Sequence, residues 1–147
     1  MSQSNIDKFN EVTGRIFLDL YNSFPQPLQI DFDNYLTPLS NSTDPFEDVV
    51  QNFFGRKFIY DSATWLKETG FITSISDDDN SFYGTVLTEK GLECLKKVPT
   101  SLAAQTSFGT QLKDAVSGGS VDAVRSITST LITAGATIAA HHFGMAI

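Results

Sequence analysis

Residues 58–98 decide the fold, and they read FIYDSATWLKETG, FITSI, SDDDNS, FYGTVL and TEKGLECLKKV in order. The first piece spaces its apolar residues three or four positions apart and ends at Gly70, which is typical of a helix. Residues 71–75 and 82–87 are rich in β-branched and aromatic side chains and flank a polar tip, which predicts a β-hairpin. Thr88 then caps a helix that Pro99 ends.

An earlier helix begins in the sequence Asp44-Pro45-Phe46-Glu47. Asp44 can cap it, Pro45 takes the first helical position, and Glu47 completes a capping box. We expect Gly55 to end this helix in a left-handed conformation, with the helix of residues 58–70 following at once. Two helices broken at a glycine predict a helix-turn-helix. The alternative is a single long helix that continues through Gly55.

The chain upstream of these helices predicts one more helix and one strand. Residues 6–24 repeat apolar side chains at steps of three or four, which indicates a helix that packs on a core, and Pro25 and Pro27 end it. Residues 28–36 alternate apolar and polar side chains in their first half, which favours a short strand or an extended arm.

A set of aromatic, glycine and lysine positions in residues 58–98 carries a resemblance. These positions are Phe58, Trp65-Leu66, Gly70-Phe71-Ile72, Leu87-Thr88 and Lys90-Gly91-Leu92, followed by Leu95. The pattern resembles the recognition helix, wing and following helix of bacterial winged-helix proteins. It implies a mainly helical α+β fold, with a winged helix-turn-helix domain over residues 1–98 and a helical C-terminal extension over residues 99–147. Such a domain often binds DNA and quite often contacts proteins.

The extension predicts two helices. Residues 100–119 suit a short amphipathic helix that ends at Gly118-Gly119, and Ser120 caps a last helix. No Asp, Glu, Lys or Arg occurs from Ser126 to Ile147, yet Ser and Thr make this segment too polar for a transmembrane span. Its small residues permit close helix contacts. We expect packing on the domain or on a second copy, as a homodimer through the C-terminal helices; a partner or a membrane surface is the alternative.

The formal charge of −7 comes entirely from residues 1–98. An acidic domain repels polyphosphate, so nucleic acid is a disfavoured but possible partner. The hairpin tip Asp77-Asp78-Asp79 adds three carboxylates where a DNA-binding wing offers cations. As a calcium loop the tip lacks the required glycine and glutamate. These observations predict a basic protein partner that the three aspartates contact.

The alternative function is a DNA-binding transcriptional regulator. Its DNA contacts would come from the helix that ends at Gly70, and specifically from Arg56, Lys57, Tyr60, Thr64 and Lys67. Asp61 and Glu68 offset two of the three cations, and the helix offers no Asn or Gln for base contacts. A third class, a metal-dependent hydrolase, needs a carboxylate cleft that the sequence does not indicate.

Nothing in the sequence predicts an enzyme, a metal or a cofactor. No nucleophile triad, phosphate loop or dinucleotide motif occurs. His141 and His142 are adjacent and point to different helix faces, which does not suit a metal site. Cys94 is the single cysteine and predicts a small core residue, as Trp65 predicts a core or seam residue. Without a signal peptide we expect a cytoplasmic, non-enzymatic, regulatory interaction module.

Overall fold

The structure, a computed structural model, describes residues 4–36, 45–98 and 106–145, with the backbone alone for residues 45–52 and 137–145. The elements in chain order are α1 (Asn5–Ser23), β1 (Leu28–Asp31), a 3₁₀ helix (Phe32–Tyr35), α2 (Pro45–Glu68), β2 (Ile72–Thr73), β3 (Ser76–Asp77), β4 (Ser81–Leu87), α3 (Glu89–Lys96), α4 (Phe108–Ser117) and α5 (Val121–Met145). The described residues are therefore mainly helical with a small antiparallel sheet, which confirms the predicted α+β class.

Strand β4 is the centre of the sheet. It pairs antiparallel with β1 on one edge and with β2 and β3 on the other. Ile30 lies opposite Phe82 and Ile72 lies opposite Leu87, and all four side chains are buried. Apolar pairs of this kind fix the strand register, because a slip by one residue would turn them towards solvent. The predicted hairpin and the predicted strand at residue 28 are confirmed.

Helix α2 is continuous, so the predicted break at Gly55 is wrong and the single long helix is correct. Gly55 does not adopt a positive φ. A Cβ atom at this position would lie 2.6 Å from Cδ2 of Leu36, so the glycine makes room for a close neighbour. A glycine inside a helix costs only about 1 kcal/mol relative to alanine, which the packing of a long helix offsets. The predicted start at Pro45 is confirmed, whereas the Asp44 cap lies outside the described residues.

The predicted end of this helix at Gly70 is confirmed. Gly70 has φ +87°, the left-handed conformation that favours glycine. The Gly70 amide donates to the Lys67 carbonyl at 3.2 Å, and the Phe71 amide donates to the Leu66 carbonyl at 2.9 Å. Leu66 and Phe71 are both buried. This bond pattern and apolar pair form a Schellman motif, which turns the chain from α2 into β2.

The residues that carry the winged-helix resemblance bind the end of α2 to α3. Thr88 caps α3 by accepting from the Gly91 amide at 3.1 Å, and its hydroxyl donates to the Gly70 carbonyl at 2.5 Å. The ammonium of Lys90 donates to the Thr69 carbonyl at 2.8 Å and lies 4.3 Å from the ring centre of Phe71. These residues thus have a structural role in this chain.

Helices α4 and α5 pack on α1, α3 and each other, and their buried residues belong to the same core as those of α1. At the crossing of α1 and α5, a Cβ at Gly14 would overlap Oγ1 of Thr128 and lie 2.8 Å from Cγ1 of Val124. A Cβ at Gly135 would lie 2.5 Å from the Phe71 ring. Helix α4 and the described side chains of α5 therefore pack on the rest of the domain, as expected for the extension. The domain boundary at residue 98 stays a prediction.

An ion pair adds to this helix contact. The Arg125 guanidinium on α5 lies 3.8 Å from the Glu11 carboxylate on α1, and 3.6 Å from Asp122 on its own helix. The Glu11 and Arg125 side chains are nearly buried, so water screens this pair less than an exposed one.

Cys94 and Trp65 occupy different environments. Cys94 is fully buried, as predicted, and burial raises the pKa of its thiol to about 11. Trp65 lies at a seam, since it is 41% exposed, contacts the Phe9 ring edge-on at 5.3 Å and stacks on Phe71 at 6.3 Å. In the part of the chain that the structure describes, no helix combines the length and apolar character needed to cross a membrane.

Candidate functional site

The hairpin tip is organised around Asp78. One of its carboxylate oxygens accepts from the amides of Asn80 at 2.8 Å and Ser81 at 2.9 Å, and the other accepts from the Tyr83 hydroxyl at 2.6 Å. The hydrogen bond from Tyr83, followed by that from Asn80, lowers the pKa of Asp78. Hydrogen bonds to its own turn use both oxygens. Asp78, one of the three aspartates predicted to contact a partner, therefore stabilises the shape of the tip.

Asp77 and Asp79 are exposed at the same tip. Asp77 accepts from the Tyr60 hydroxyl of α2 at 2.9 Å, which ties the hairpin to the helix. The hydrogen bond to Asp77 raises the pKa of Tyr60, and the charge of Asp79 adds a smaller contribution in the same direction. Both carboxylates therefore lie close to the Tyr60 side chain and keep solvent-facing oxygens.

An apolar side chain accompanies these carboxylates. Ile75 lies between β2 and β3, is 83% exposed, and covers the space that a Cβ at Gly84 would fill. Ile75 stands two residues before Asp77, and Asp77 shares a side of the hairpin with Phe82, because paired residues of antiparallel strands share a side. Tyr60 contacts Phe82 on that side, with ring centres 5.7 Å apart. We name Tyr60, Ile75, Asp77 and Asp79 the hairpin face.

The sequence pattern did not predict a functional role for Ile75, and it predicted only a DNA contact for Tyr60. The position of Ile75 directly before the polar tip is the signal in the sequence that indicates its exposure, because turns and loops lie on the surface. The Tyr60 contact depends on how α2 lies across the hairpin, which no local pattern contains.

Two of the three cations predicted for DNA contact have carboxylate partners within the protein. The Arg56 guanidinium lies 2.5 Å from Asp33 of the 3₁₀ helix, and the Lys57 ammonium lies 3.5 Å from Asp61 one turn along α2. Tyr60 contacts the ring of Phe32 at 5.9 Å as well as that of Phe82. The hairpin and the 3₁₀ helix therefore contact α2 at Tyr60 and Arg56, while Lys57 stays exposed.

Thr64 and Lys67, the two remaining residues predicted for DNA contact, differ in exposure. The hydroxyl oxygen of Thr64 is buried, so it is not available to a base or a phosphate. Lys67 is exposed in the last turn of α2, where a cation stabilises the helix dipole. The structure thus brings Arg56 and Tyr60 to one contact region and separates Lys67 from it.

Comparison of the chain with protein-family models, curated proteins and solved structures gives no match. The described residues contain no group of three His, Cys, Asp or Glu side chains arranged to hold a metal ion. The side chains of His141 and His142 lie outside the described part of the chain. The function is therefore argued from the geometry of the hairpin face alone.

Proposed function

We propose that the protein is a non-enzymatic interaction module whose hairpin face binds a basic segment of another protein. One observation carries the proposal: Asp77 and Asp79 present exposed carboxylates on a turn that Asp78 holds in shape, and the exposed Ile75 directly precedes this tip in the chain. A fixed turn costs little ordering entropy on binding, because its geometry exists before the partner arrives.

Charge favours a basic partner for this face. The protein carries a net charge of −7, and opposite charges on two partners raise the rate at which they meet. The apolar contact would come from Ile75, which offers a hydrophobic centre inside a polar rim. A Lys-rich or Arg-rich segment with one apolar side chain fits both features.

The proposal uses the hairpin as the wing of a winged-helix arrangement. The order α1, β1, α2, hairpin and α3 supports this arrangement, whereas the continuous helix α2, which has no turn inside it, does not. Folds of this kind serve DNA binding and protein contact alike, so the residues of the site decide between them. The carboxylates of the hairpin face favour protein contact.

Transcriptional regulation by DNA binding is the alternative, and the structure offers it less support. A phosphate contact by Arg56 or Lys57 would have to replace an existing ion pair with Asp33 or Asp61. Lys67 has the exposure that a phosphate contact needs, but a single cation contributes little to polyphosphate binding.

A homodimer through the C-terminal helices also stays a prediction. The exposed side of α5 in its described part carries small polar residues, including Ser126, Ser129 and Thr130, whereas Val124 and Leu131 are buried. Sedimentation equilibrium over a range of protein concentrations tests it, with a single monomer mass as the contradicting result.

The proposal is tested by capturing proteins from host extract on the immobilised chain and identifying them by mass spectrometry. The Asp77→Asn/Asp79→Asn double variant keeps the shape of both side chains and removes their charge. A matched control, Glu93→Gln/Asp114→Asn, removes two exposed carboxylates on α3 and α4. We expect a basic protein to bind the natural chain and the control but not the double variant. Equal capture by all three would contradict the proposal.

A further inference from the structure

A polar cleft of about 380 Å³ opens on the side of α1 that faces β1 and the 3₁₀ helix. Its lining residues are Asp19, Asn22, Ser23, Leu28, Gln29, Asn34 and Tyr35. The volume falls at the small end of the range of about 300–1,000 Å³ that is usual for ligand sites. It suits a small molecule or a single long side chain.

The floor of the cleft is built by a buried tyrosine. Tyr35 is only 4% exposed, and its hydroxyl donates to one carboxylate oxygen of Asp19. Burial, followed by the hydrogen bond to Asp19, raises the pKa of Tyr35, so the phenol stays protonated and keeps donating. The hydrogen bond fixes the orientation of the Asp19 carboxylate at the cleft.

Arg15 holds the wall that carries Asn34 and Tyr35. Its guanidinium donates to the Asn34 carbonyl at 2.7 Å and the Tyr35 carbonyl at 3.2 Å, and it lies 5.3 Å from the centre of the Tyr35 ring. On β1, the Gln29 side-chain amide donates to the Ser81 hydroxyl of β4 at 3.3 Å. Contacts within the protein therefore position Asn34, Tyr35 and Gln29 at the cleft.

The lining favours a ligand that donates hydrogen bonds and carries positive charge. Asp19 supplies a carboxylate, and the amide side chains of Asn22 and Asn34 supply further acceptor oxygens. Among the described residues that line the cleft there is no Lys, Arg or His, and the neighbouring Arg15 cation is engaged by the carbonyls of Asn34 and Tyr35. Leu28 adds an apolar surface on which methylene groups can pack.

We propose that this cleft binds a primary ammonium group on a short alkyl chain, with the ammonium on Asp19 and the alkyl chain along Leu28. The group could belong to a free aliphatic amine or to a lysine side chain of a peptide, since both have the same chemistry. This proposal is independent of the hairpin face, because none of the residues that line the cleft belongs to that face.

Titration of the ¹⁵N-labelled protein with butylammonium, followed by NMR, tests this site. We expect saturable shifts of the side-chain amides of Asn22, Gln29 and Asn34. Tetramethylammonium, which has no N–H donor, should bind at least tenfold more weakly because it cannot form a charge-assisted hydrogen bond. Lack of saturation, or equal binding of the two cations, would overturn the proposal.

Two variants locate the binding. Asp19→Asn should weaken it at least tenfold, and its amide oxygen can still accept from Tyr35, so near-ultraviolet circular dichroism should show an unchanged fold. Asp114→Asn removes one charge from α4, away from the cleft, and should leave the binding unchanged. Equal loss in both variants would indicate attraction by net charge alone and would refute the site.

A last comparison separates the two sources of the ammonium group. A blocked lysine peptide and a free diamine are titrated in parallel against the same protein. Tighter binding of the peptide would identify a protein lysine, and tighter binding of the diamine would identify a small amine. Failure of both would overturn the proposal, and it would leave the result of the hairpin variants unchanged.

Discussion

The crossing of α1 with α5 and the hairpin face show two ways in which a sequence positions its residues. At the crossing, Gly14 is in contact with Val124 and Thr128, and a methyl group has no free space. At the hairpin face, Asp77 and Ile75 are exposed; the Tyr60 hydroxyl of α2 donates to Asp77, and the Ile75 amide donates to the Tyr83 carbonyl. At the helix crossing, close packing limits the size of the side chains. At the hairpin face, the side chains are exposed and accessible to a partner.

The largest expected effect lies at the docking of α5. Leu131 is fully buried in the shared core. Leu131→Ala should lower the free energy of unfolding by about 2–5 kcal/mol, because it removes buried methyl groups and leaves a cavity. Chemical denaturation followed by circular dichroism measures the loss. Ser129→Ala, on the exposed side of the same helix, should change it by less than about 0.5 kcal/mol. Equal small effects would mean that α5 does not pack on the domain.

A second variant tests the crossing from the side of α1. Gly14→Ala should cost about 1–3 kcal/mol, since the added methyl overlaps Thr128 and crowds Val124 while α1 gains helix propensity. The same denaturation measurement applies. A more stable Gly14→Ala protein would show that helix propensity decides this position and that the two helices are farther apart.

Two glycines, one inside α2 and one directly after its end, should give smaller effects on stability. Gly70→Ala should cost about 1–2 kcal/mol, because alanine is disfavoured at positive φ. Gly55→Ala should cost no more than about 0.5 kcal/mol, since the gain in helix propensity of up to about 1 kcal/mol opposes a contact with the flexible end of Leu36. Equal losses at both positions would restore the predicted helix break at Gly55.

The smallest expected effect is a pH dependence of the hairpin. The folded-state pKa of Asp78 is lowered, so its stabilising effect is complete above the ordinary aspartate pKa and is lost as pH falls through the folded value. The carboxyl ¹³C signal of Asp78 should therefore titrate below that of an ordinary aspartate. In Tyr83→Phe, which lacks the main hydrogen bond to Asp78, the midpoint should move upwards. An unchanged midpoint in that variant would contradict this contact.

The sequence predicted those elements whose signals are local. The caps at Thr88 and Ser120, the end at Gly70 and the polar tip of the hairpin depend on a few neighbouring residues, and all lie where they were expected. The break at Gly55 was wrong because a local glycine signal competes with a distant contact to Leu36. Only the folded chain brings those two residues together.

The candidate site was predictable in part for the same reason. The acidic tip is evident in the sequence, since three adjacent aspartates need no folded context. The different hydrogen bonds of the three aspartates are not evident in the sequence. Tyr83 donates to Asp78 and Tyr60 donates to Asp77, and these bonds depend on the strand pairing and on the path of α2. The same path brings Arg56 to Asp33, an ion pair that no local pattern contains, and the DNA contact of Arg56 stays a prediction.

Fluorescence anisotropy with two labelled probes tests the central claim most directly. A lysine-rich peptide and a DNA duplex are each titrated with the natural chain and with Asp77→Asn/Asp79→Asn, from low to physiological salt. We predict that the peptide binds the natural chain, binds the double variant at least tenfold more weakly, and that the duplex does not bind. Tight duplex binding that weakens steeply with salt, together with no loss of peptide binding in the double variant, would contradict the account.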